Sequence, residues 1–115
     1  EELTAILDGL GSIEAALPLL KGRLDHERIA AVGHSLGGHT VALLLGMRVT
    51  IDGAKVDLRD PRIKAGVLLA APGAGGGNLS ENGKTYGPAF SPDFVHLVTR
   101  SLVVFGDRDV SPHLT

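Results

Sequence analysis

Gly33-His34-Ser35-Leu36-Gly37 lies where an apolar strand of this 115-residue chain gives way to a helix, and it places a serine between two glycines. The predicted strand covers residues 28–32, RIAAV, and the predicted helix runs through residues 40–45, TVALLL. In this setting a G-x-S-x-G sequence forces the serine into a strained conformation that lifts its hydroxyl above the sheet edge. The two glycines lack Cβ atoms, so the tight turn can pass close to neighbouring backbone. The sequence therefore predicts a nucleophile elbow at Ser35.

The start of the following helix supplies a second chemical group. Its first N–H groups have no intrahelical partner and carry the positive end of the helix dipole. The N–H of Leu36 is therefore predicted to lie where an oxyanion develops when Ser35 attacks a carbonyl carbon. The alternative interpretation is that Ser35 is an ordinary N-cap and that Gly37-Gly38 only allows close packing.

Residues 33–38, GHSLGG, resemble the elbow of the α/β-hydrolase family. The resemblance continues through residues 60–70, DPRIKAGVLLA, which look like the sixth strand of that family with its lead-in. It ends with residues 101–109, SLVVFGDRD, which look like the seventh strand and the acid-bearing turn after it. The resemblance covers nearly the whole chain, and the sequence is most similar to bacterial esterases of the dienelactone-hydrolase or chlorophyllase-like kind.

The order of predicted elements is helix, strand, elbow, helix, loop, strand, long loop and strand. This alternation predicts parallel strands joined by right-handed crossovers. The resemblance implies a three-layer α/β/α fold with a mainly parallel sheet, for which 115 residues are about half the usual length. Residues 1–115 are therefore expected to form a single partial hydrolase domain, and the start at Glu1 suggests that the chain begins inside a longer product.

The sequence also predicts the secondary structure of four other segments. Apolar spacing predicts helices over residues 2–10 and 12–21, with Ser12 as a cap and Pro18 as a kink. Residues 94–98 are expected to form a short helix beneath the last strand. The glycine-rich residues 74–88 are expected to form a mobile surface loop, or a disordered connector.

An acidic residue after the last strand is the second catalytic candidate, because a triad needs a carboxylate to orient an imidazole. Asp107 and Asp109 both qualify by position, and the resemblance aligns the acid with Asp109. Either aspartate can instead be a solvated turn residue that bonds to its own backbone. Substrate contacts are expected from His34, which would shape the site, and from Tyr86 or Phe90, which would line an acyl pocket.

The catalytic base is the part that the sequence does not supply. In this family it follows the acid, and His113 is the single histidine after Asp109. His113 lies too close to Asp109 along the chain, and His39 follows Ser35 on the same helix and points along it. The resemblance therefore implies that the histidine, the earlier strands and the second oxyanion donor lie outside these 115 residues.

Composition excludes several other functions. A net charge of −2 argues against a nucleic-acid partner, and the absence of cysteine removes disulfides and thiol chemistry. Leu43-Leu44-Leu45 is too short to span a bilayer, and the spacing of His34 and His39 does not suit a metal site. No dinucleotide or phosphate loop is present, so no cofactor is expected. Composition does not decide the cellular compartment of the protein, although the cytoplasm is slightly favoured.

These features predict a serine hydrolase that acts on a small-molecule carboxylic ester through an acyl-enzyme. The chain by itself is expected to be nearly inactive and to self-associate through unpaired strand edges. The alternative is a non-catalytic, hydrolase-like binding or interaction module, which would need no histidine.

Overall fold

Short helices and strands alternate along the chain, which a computed structural model describes over residues 2–74, 79–87 and 91–109. The helices of this part are α1 (Glu2–Asp8), α2 (Leu10–Ala16), α3 (Leu36–Leu45) and α4 (Glu81–Thr85). The strands are β1 (Ile29–His34), β2 (Val49–Ile51), β3 (Ala54–Val56), β4 (Ile63–Leu69) and β5 (Arg100–Val104).

The main sheet has the order β1-β4-β5, and both of its strand pairs are parallel. Val32 lies beside Val67, which lies beside Leu102, so the three carboxyl ends finish at the same edge. The predicted parallel pairing and mixed α/β class are therefore confirmed. The central strand β4 reads IKAGVLL, and such a nearly continuous apolar run is typical of a parallel strand with neighbours on both sides.

Helix α3 covers one face of this sheet. Leu45 is fully buried, and its side chain lies so close to Gly66 of β4 that a Cβ atom there would overlap its Cδ1. The helix ends at Gly46, whose φ of 117° lies in a region that favours glycine. The buried core comprises Val41, Ala42, Leu44, Leu45, Met47, Val49, Ile63 and Leu68.

The opposite face of the sheet, which we call the open face, carries no helix in the described part of the chain. It is formed by Ala30, Val32, His34, Ala65, Val67, Leu69, Arg100, Leu102 and Val104. Val32 is 64% exposed and Leu102 is 59% exposed, although both are apolar. The described residues thus form a sheet with one helix-covered face.

A second, two-stranded sheet stands where a plain loop was predicted. Strands β2 and β3 are antiparallel and are joined by Asp52 and Gly53. Both joining residues have positive φ, 50° and 77°, as a type I′ turn requires. The prediction of a loop is wrong here, because an Asp-Gly pair between short apolar segments favours a hairpin.

The second predicted helix is shorter than expected. Helix α2 ends at Ala16, and Leu17 is extended, with φ −114° and ψ 100°. The ring of Pro18 disfavours a helical conformation at the residue before it, so the proline ends the helix and does not kink it. Ser12 lies inside α2, and Gly9 occupies the N-cap position, so the predicted cap is also wrong.

The helix predicted over residues 94–98 is absent from the described structure, and turns take its place. Asp93 and Arg48 exchange two backbone hydrogen bonds, of 2.9 and 2.8 Å, which hold the segment extended at its start. The Asp93 carboxylate then accepts a hydrogen bond from the N–H of Val95 at 2.9 Å. Such an aspartate turn competes with helix formation, and of the apolar residues here Leu97 packs against the core.

Asp60 is the buried carboxylate of the described core, at 6% exposure, and it lies just before β4. Arg62 donates two side-chain hydrogen bonds to it, of 2.9 and 2.6 Å, and a third, of 2.7 Å, to Asp8 at the end of α1. The Asp60 N–H donates to the carbonyl of Leu44 at 2.9 Å. The Arg62 guanidinium holds the pKa of Asp60 below its usual range. This network joins α1, α3 and the start of β4.

Asp60→Asn is expected to lower the free energy of unfolding by about 1–2 kcal/mol at neutral pH, because it weakens charge-assisted hydrogen bonds to a partly exposed arginine. The folded-state pKa of Asp60 is lowered, so its stabilisation is complete above about pH 5 and is lost as the pH falls below about 4. Urea unfolding of both proteins against pH should therefore show curves that converge in acid. Asp25→Asn, which breaks a solvent-exposed 3.6 Å pair with Arg28, is the control and should show no measurable change. A constant gap down to acid pH would contradict the assignment.

Candidate functional site

The carboxyl ends of β1 and β4 both finish in a strained residue. Ser35 has φ 54° and ψ −124°, and Ala70 has φ 46°. The Ser35 N–H donates to the carbonyl of Leu69 at 2.9 Å, and the Ala70 N–H donates to that of Val104 at 2.8 Å. Non-glycine residues with positive φ concentrate at functional sites. The strain predicted at Ser35 is therefore present, and the strain at Ala70 is a feature that no sequence signal indicated.

Two glycines are required by close backbone approach in this turn. A Cβ atom at Gly33 would overlap the carbonyl group of Gly37 and would lie 2.6 Å from the nitrogen of Gly38. A Cβ atom at Gly38 would lie 2.7 Å from the Cβ of Ala71. A Cβ atom at Gly37 would meet nothing within 4 Å. The predicted need for glycine is thus confirmed at Gly33 and wrong at Gly37, where the adjacent Gly38 has that role.

Ser35 stands at the N-cap position of α3, but its side chain makes no capping hydrogen bond. Ser80 shows the ordinary arrangement, because it is extended, with φ −61° and ψ 167°, and its Oγ accepts from the Gly83 N–H at 3.1 Å. An N-cap serine normally has this extended conformation. The alternative interpretation of Ser35 as an ordinary N-cap therefore does not describe its geometry, and its hydroxyl is not committed to the helix.

The first N–H groups of α3 lie directly beside Ser35. The helical hydrogen-bond ladder starts with the His39 N–H donating to the Ser35 carbonyl at 3.1 Å. The N–H groups of Leu36, Gly37 and Gly38 precede that bond and have no acceptor within the helix. These donors and the helix dipole favour negative charge at this end of α3.

The two candidate acids lie at the same edge of the sheet, beyond the end of β5. The Asp109 N–H donates to the Gly106 carbonyl at 3.2 Å and closes a short turn around Asp107. Both aspartates are exposed. Strands β1 and β5 flank β4, so the axes of β1 and β5 lie about 10 Å apart at ordinary strand spacing. The structure therefore brings Ser35 and the acidic turn to the same edge of the sheet, at the ends of two strands that are separated by β4.

No histidine of the described residues connects Ser35 with the acidic turn at Asp107 and Asp109. No hydrogen bond there joins a histidine to the Ser35 hydroxyl or to the Asp109 carboxylate. His34 lies on the open face beside Leu69, and His39 lies on α3, one turn after Ser35. His113 lies outside the described residues.

Tyr86 ends a helix that the sequence did not predict. Helix α4 lies inside the predicted loop, and Tyr86 is its C-cap, with its N–H donating to the Gly83 carbonyl at 3.2 Å. The Tyr86 side chain is 62% exposed, and no hydrogen bond of the described part connects it to Ser35. Phe90, the other residue predicted to line an acyl pocket, lies outside the described residues.

A cavity lies away from this edge of the sheet, and the described residues form no candidate metal site. A cavity of about 640 Å³ lies between α1, α3 and Leu58, and the residues that line it do not include Ser35, Leu36 or Asp109. Across residues 2–74, 79–87 and 91–109, the acidic and histidine side chains form no group of three or more that could hold a metal ion.

Comparison of the chain with protein-family models, with curated protein sequences and with solved structures gave no significant match. Within the described residues, the helices are too short or too polar to cross a lipid bilayer.

Proposed function

We propose that the protein is a serine hydrolase that acts on carboxylic esters through an acyl-enzyme, with Ser35 as the nucleophile. The observation that carries this proposal is the backbone of Ser35, with φ 54° at the carboxyl end of a parallel strand and a hydroxyl that does not cap the next helix. Holding a serine in this conformation costs on the order of 1–3 kcal/mol, so a purely structural role would favour an ordinary extended cap. The resemblance of residues 33–38 to a hydrolase elbow supports the same conclusion.

The reaction assigns each group of this edge a role. Ser35 Oγ attacks the ester carbonyl carbon while a base removes the hydroxyl proton, and the carbonyl oxygen becomes an oxyanion. The N–H of Leu36 donates to that oxyanion, and one such donor is worth about 2.7–4 kcal/mol in the transition state. Expulsion of the alcohol, protonated by the same group, leaves the acyl-enzyme, which water then hydrolyses to the acid and free Ser35.

Asp109 is proposed to hold the base, a histidine, in the correct tautomer and to stabilise its charged form. Its place at the same sheet edge as Ser35, two strands away, supports this assignment, because the two groups of a triad that flank the histidine follow the carboxyl ends of different strands. We propose that this histidine is supplied by polypeptide beyond the described residues. His34 and Tyr86 are proposed to contact the substrate.

We further propose that the parallel sheet and α3 are part of a three-layer α/β-hydrolase fold. In this arrangement β1 carries the nucleophile and β5 leads to the acid. The shared carboxyl edge of β1, β4 and β5 supports the assignment, because ligands of open parallel sheets bind at that edge.

A second candidate is a non-catalytic module that keeps the hydrolase-like turn and binds a partner. It is favoured by one observation, the lack of any histidine hydrogen-bonded to Ser35 or Asp109 in the described part of the chain. The experiment below separates this candidate from the enzyme, because the module has no activated serine.

Treatment of the natural full-length protein with a fluorophosphonate, followed by peptide mass spectrometry, should find the adduct on Ser35. An activated serine displaces fluoride from the phosphorus, whereas an ordinary serine hydroxyl is a weak nucleophile at neutral pH. Ser35→Ala should abolish labelling, and Ser12→Ala, which removes an exposed hydroxyl from α2, should leave it unchanged. The isolated 115-residue chain should hydrolyse p-nitrophenyl esters at most slightly.

Labelling of the Ser35→Ala variant at another serine would exclude Ser35 as the nucleophile. A full-length protein that is folded but unlabelled would support the non-catalytic module.

A further inference from the structure

The turn that follows β4 is strained, although no step of the proposed reaction uses it. Ala70 has φ 46°, a left-handed conformation that is costly for a residue with a Cβ atom. Its N–H donates to the Val104 carbonyl at 2.8 Å, directly after the last residue pair of β4 and β5, Leu69 with Val104. Hydrogen bonding to the neighbouring strand therefore holds the strained residue in place.

The same turn is joined to the serine turn by the residue before it. The Leu69 carbonyl accepts a hydrogen bond from the Ser35 N–H at 2.9 Å. Ser35 and Ala70 each follow directly after the last residue of their strand, and both are left-handed. The strained turn after β4 is therefore anchored beside the nucleophile.

Ala71, the next residue, lies against the first turn of α3. A Cβ atom added at Gly38 would lie 2.7 Å from the Cβ of Ala71 and 3.2 Å from its Cα, so Ala71 occupies the space that a side chain at residue 38 would take. Gly38 is buried, and Ala71 is half-buried and packs against the core. Pro72 follows and restricts the backbone of the residue before it. The methyl group of Ala71 is thus presented to α3 by a constrained segment.

This contact bears on the position of the Leu36 N–H. Gly38 follows Leu36 by two residues in the same first turn of α3. That turn also lies against Gly33, where an added Cβ atom would be 2.6 Å from the Gly38 nitrogen. The first turn of α3 is therefore in contact with the end of β1 and with Ala71, and a change at either contact moves its N–H donors relative to the nucleophile.

We propose that Ala71, held by the strained turn at Ala70, is a positioning residue of the active site. Its methyl group fixes the first turn of α3 so that the Leu36 N–H meets the oxyanion in the required geometry. The inference rests on the proposed function, because an oxyanion forms there only if Ser35 attacks a carbonyl carbon. A side chain larger than alanine at residue 71 presses on Gly38, and a glycine leaves the turn without this support.

Ala71→Val in the natural full-length protein should lower kcat for a p-nitrophenyl ester by about 10²-fold and leave KM unchanged. The oxyanion exists only in the transition state, so misplacing its donor lowers kcat and kcat/KM together. Ala71→Gly, which introduces no overlap, should lower kcat by about tenfold. Ala54→Val is the matched control, since Ala54 is exposed on β3, and its kcat should equal that of the wild type.

Moving the methyl group across the contact tests the contact itself. Gly38→Ala should lower kcat at least as much as Ala71→Val does, because its methyl group overlaps that of Ala71. The double variant Gly38→Ala/Ala71→Gly places one methyl group on the other side of the contact, and it should recover at least about tenfold of the lost kcat.

A variant that is only less stable separates positioning from stability. Asp60→Asn is expected to lower the free energy of unfolding, and Asp60 lies before β4, at the strand end opposite to Ala71. Its kcat should equal that of the wild type under conditions where it is folded. Circular dichroism identifies any variant that does not fold, and if Ala71→Val is one of them, Ala71→Gly and the double variant decide the outcome.

A wild-type protein that is labelled at Ser35 and hydrolyses esters, but keeps its kcat in the folded Ala71 variants, would overturn this inference and leave the proposed function intact. A rise in KM without a fall in kcat would also overturn it, because it would make Ala71 a substrate contact. A folded wild-type protein without labelling at Ser35 would overturn the proposed function and the positioning role with it.

Discussion

Gly33→Ala is expected to lower the free energy of unfolding by about 3 kcal/mol or more, or to prevent folding. The added methyl group would overlap the Gly37 carbonyl group and press on the Gly38 nitrogen, and these are backbone atoms that cannot rotate away. Relief would require α3 to move from the end of β1, and that helix covers the core. Urea unfolding followed by circular dichroism measures the change.

Gly37→Ala is the matched control for this prediction. It adds the same methyl group four residues later, in the first turn of α3, where no neighbouring atom lies within 4 Å. An alanine also restricts the unfolded chain more than a glycine, so the variant should be as stable as the wild type or more stable by up to about 1 kcal/mol. Equal losses in the two variants would show that the turn does not have the close approach described here.

Asp109→Asn is expected to reduce ester turnover by about 10⁴-fold in the natural full-length protein, with little change in thermal stability. In the proposed mechanism Asp109 holds the histidine tautomer and stabilises the imidazolium, and loss of the corresponding carboxylate in a serine protease costs about 10⁴ in turnover. Asp109 is exposed and makes no side-chain hydrogen bond in the described structure, so its replacement leaves the fold intact. Steady-state turnover and thermal unfolding of the same preparation test both parts.

Asp107→Asn gives the comparison within the same turn. It removes the same charge two residues earlier and should change turnover far less. The reverse ranking would move the acid to Asp107, and equal small effects from both variants would remove the acidic turn from the proposed mechanism.

The parts of the fold that depend on neighbouring residues were predictable. Strand β1, the strained turn at Ser35 and helix α3 follow one another within 17 residues, and their pattern of apolar residues and glycines determines them together. The Asp52-Gly53 hairpin also has a local signal, because an Asp-Gly pair between two short strands favours a type I′ turn. Pro18 likewise indicated the end of a helix through its effect on the preceding residue.

The features that were missed depend on contacts distant in sequence. Glycine is needed at Gly38 because Ala71, 33 positions later, lies against it, and no local pattern indicates that neighbour. Residues 94–98 have the apolar content of a helix, but Asp93 pairs with Arg48 and starts a turn instead. The left-handed conformation of Ala70 has no signal at all in its residue type.

The central position of β4 determines when the sheet can form. Ile29 pairs with Ile63 and Ala65 pairs with Arg100, so each strand pairing joins residues 34 or 35 positions apart. Neither β1 nor β5 pairs with the other, so within the described sheet β1 gains its partner when β4 has been synthesised. The entropy of closing such long loops must be overcome before any strand pairing is gained, which makes folding slow. During this time the apolar residues of β1 and α3 are exposed and can associate with non-native partners. A nascent chain that pauses before residue 63 would expose the serine turn without the strand that anchors it.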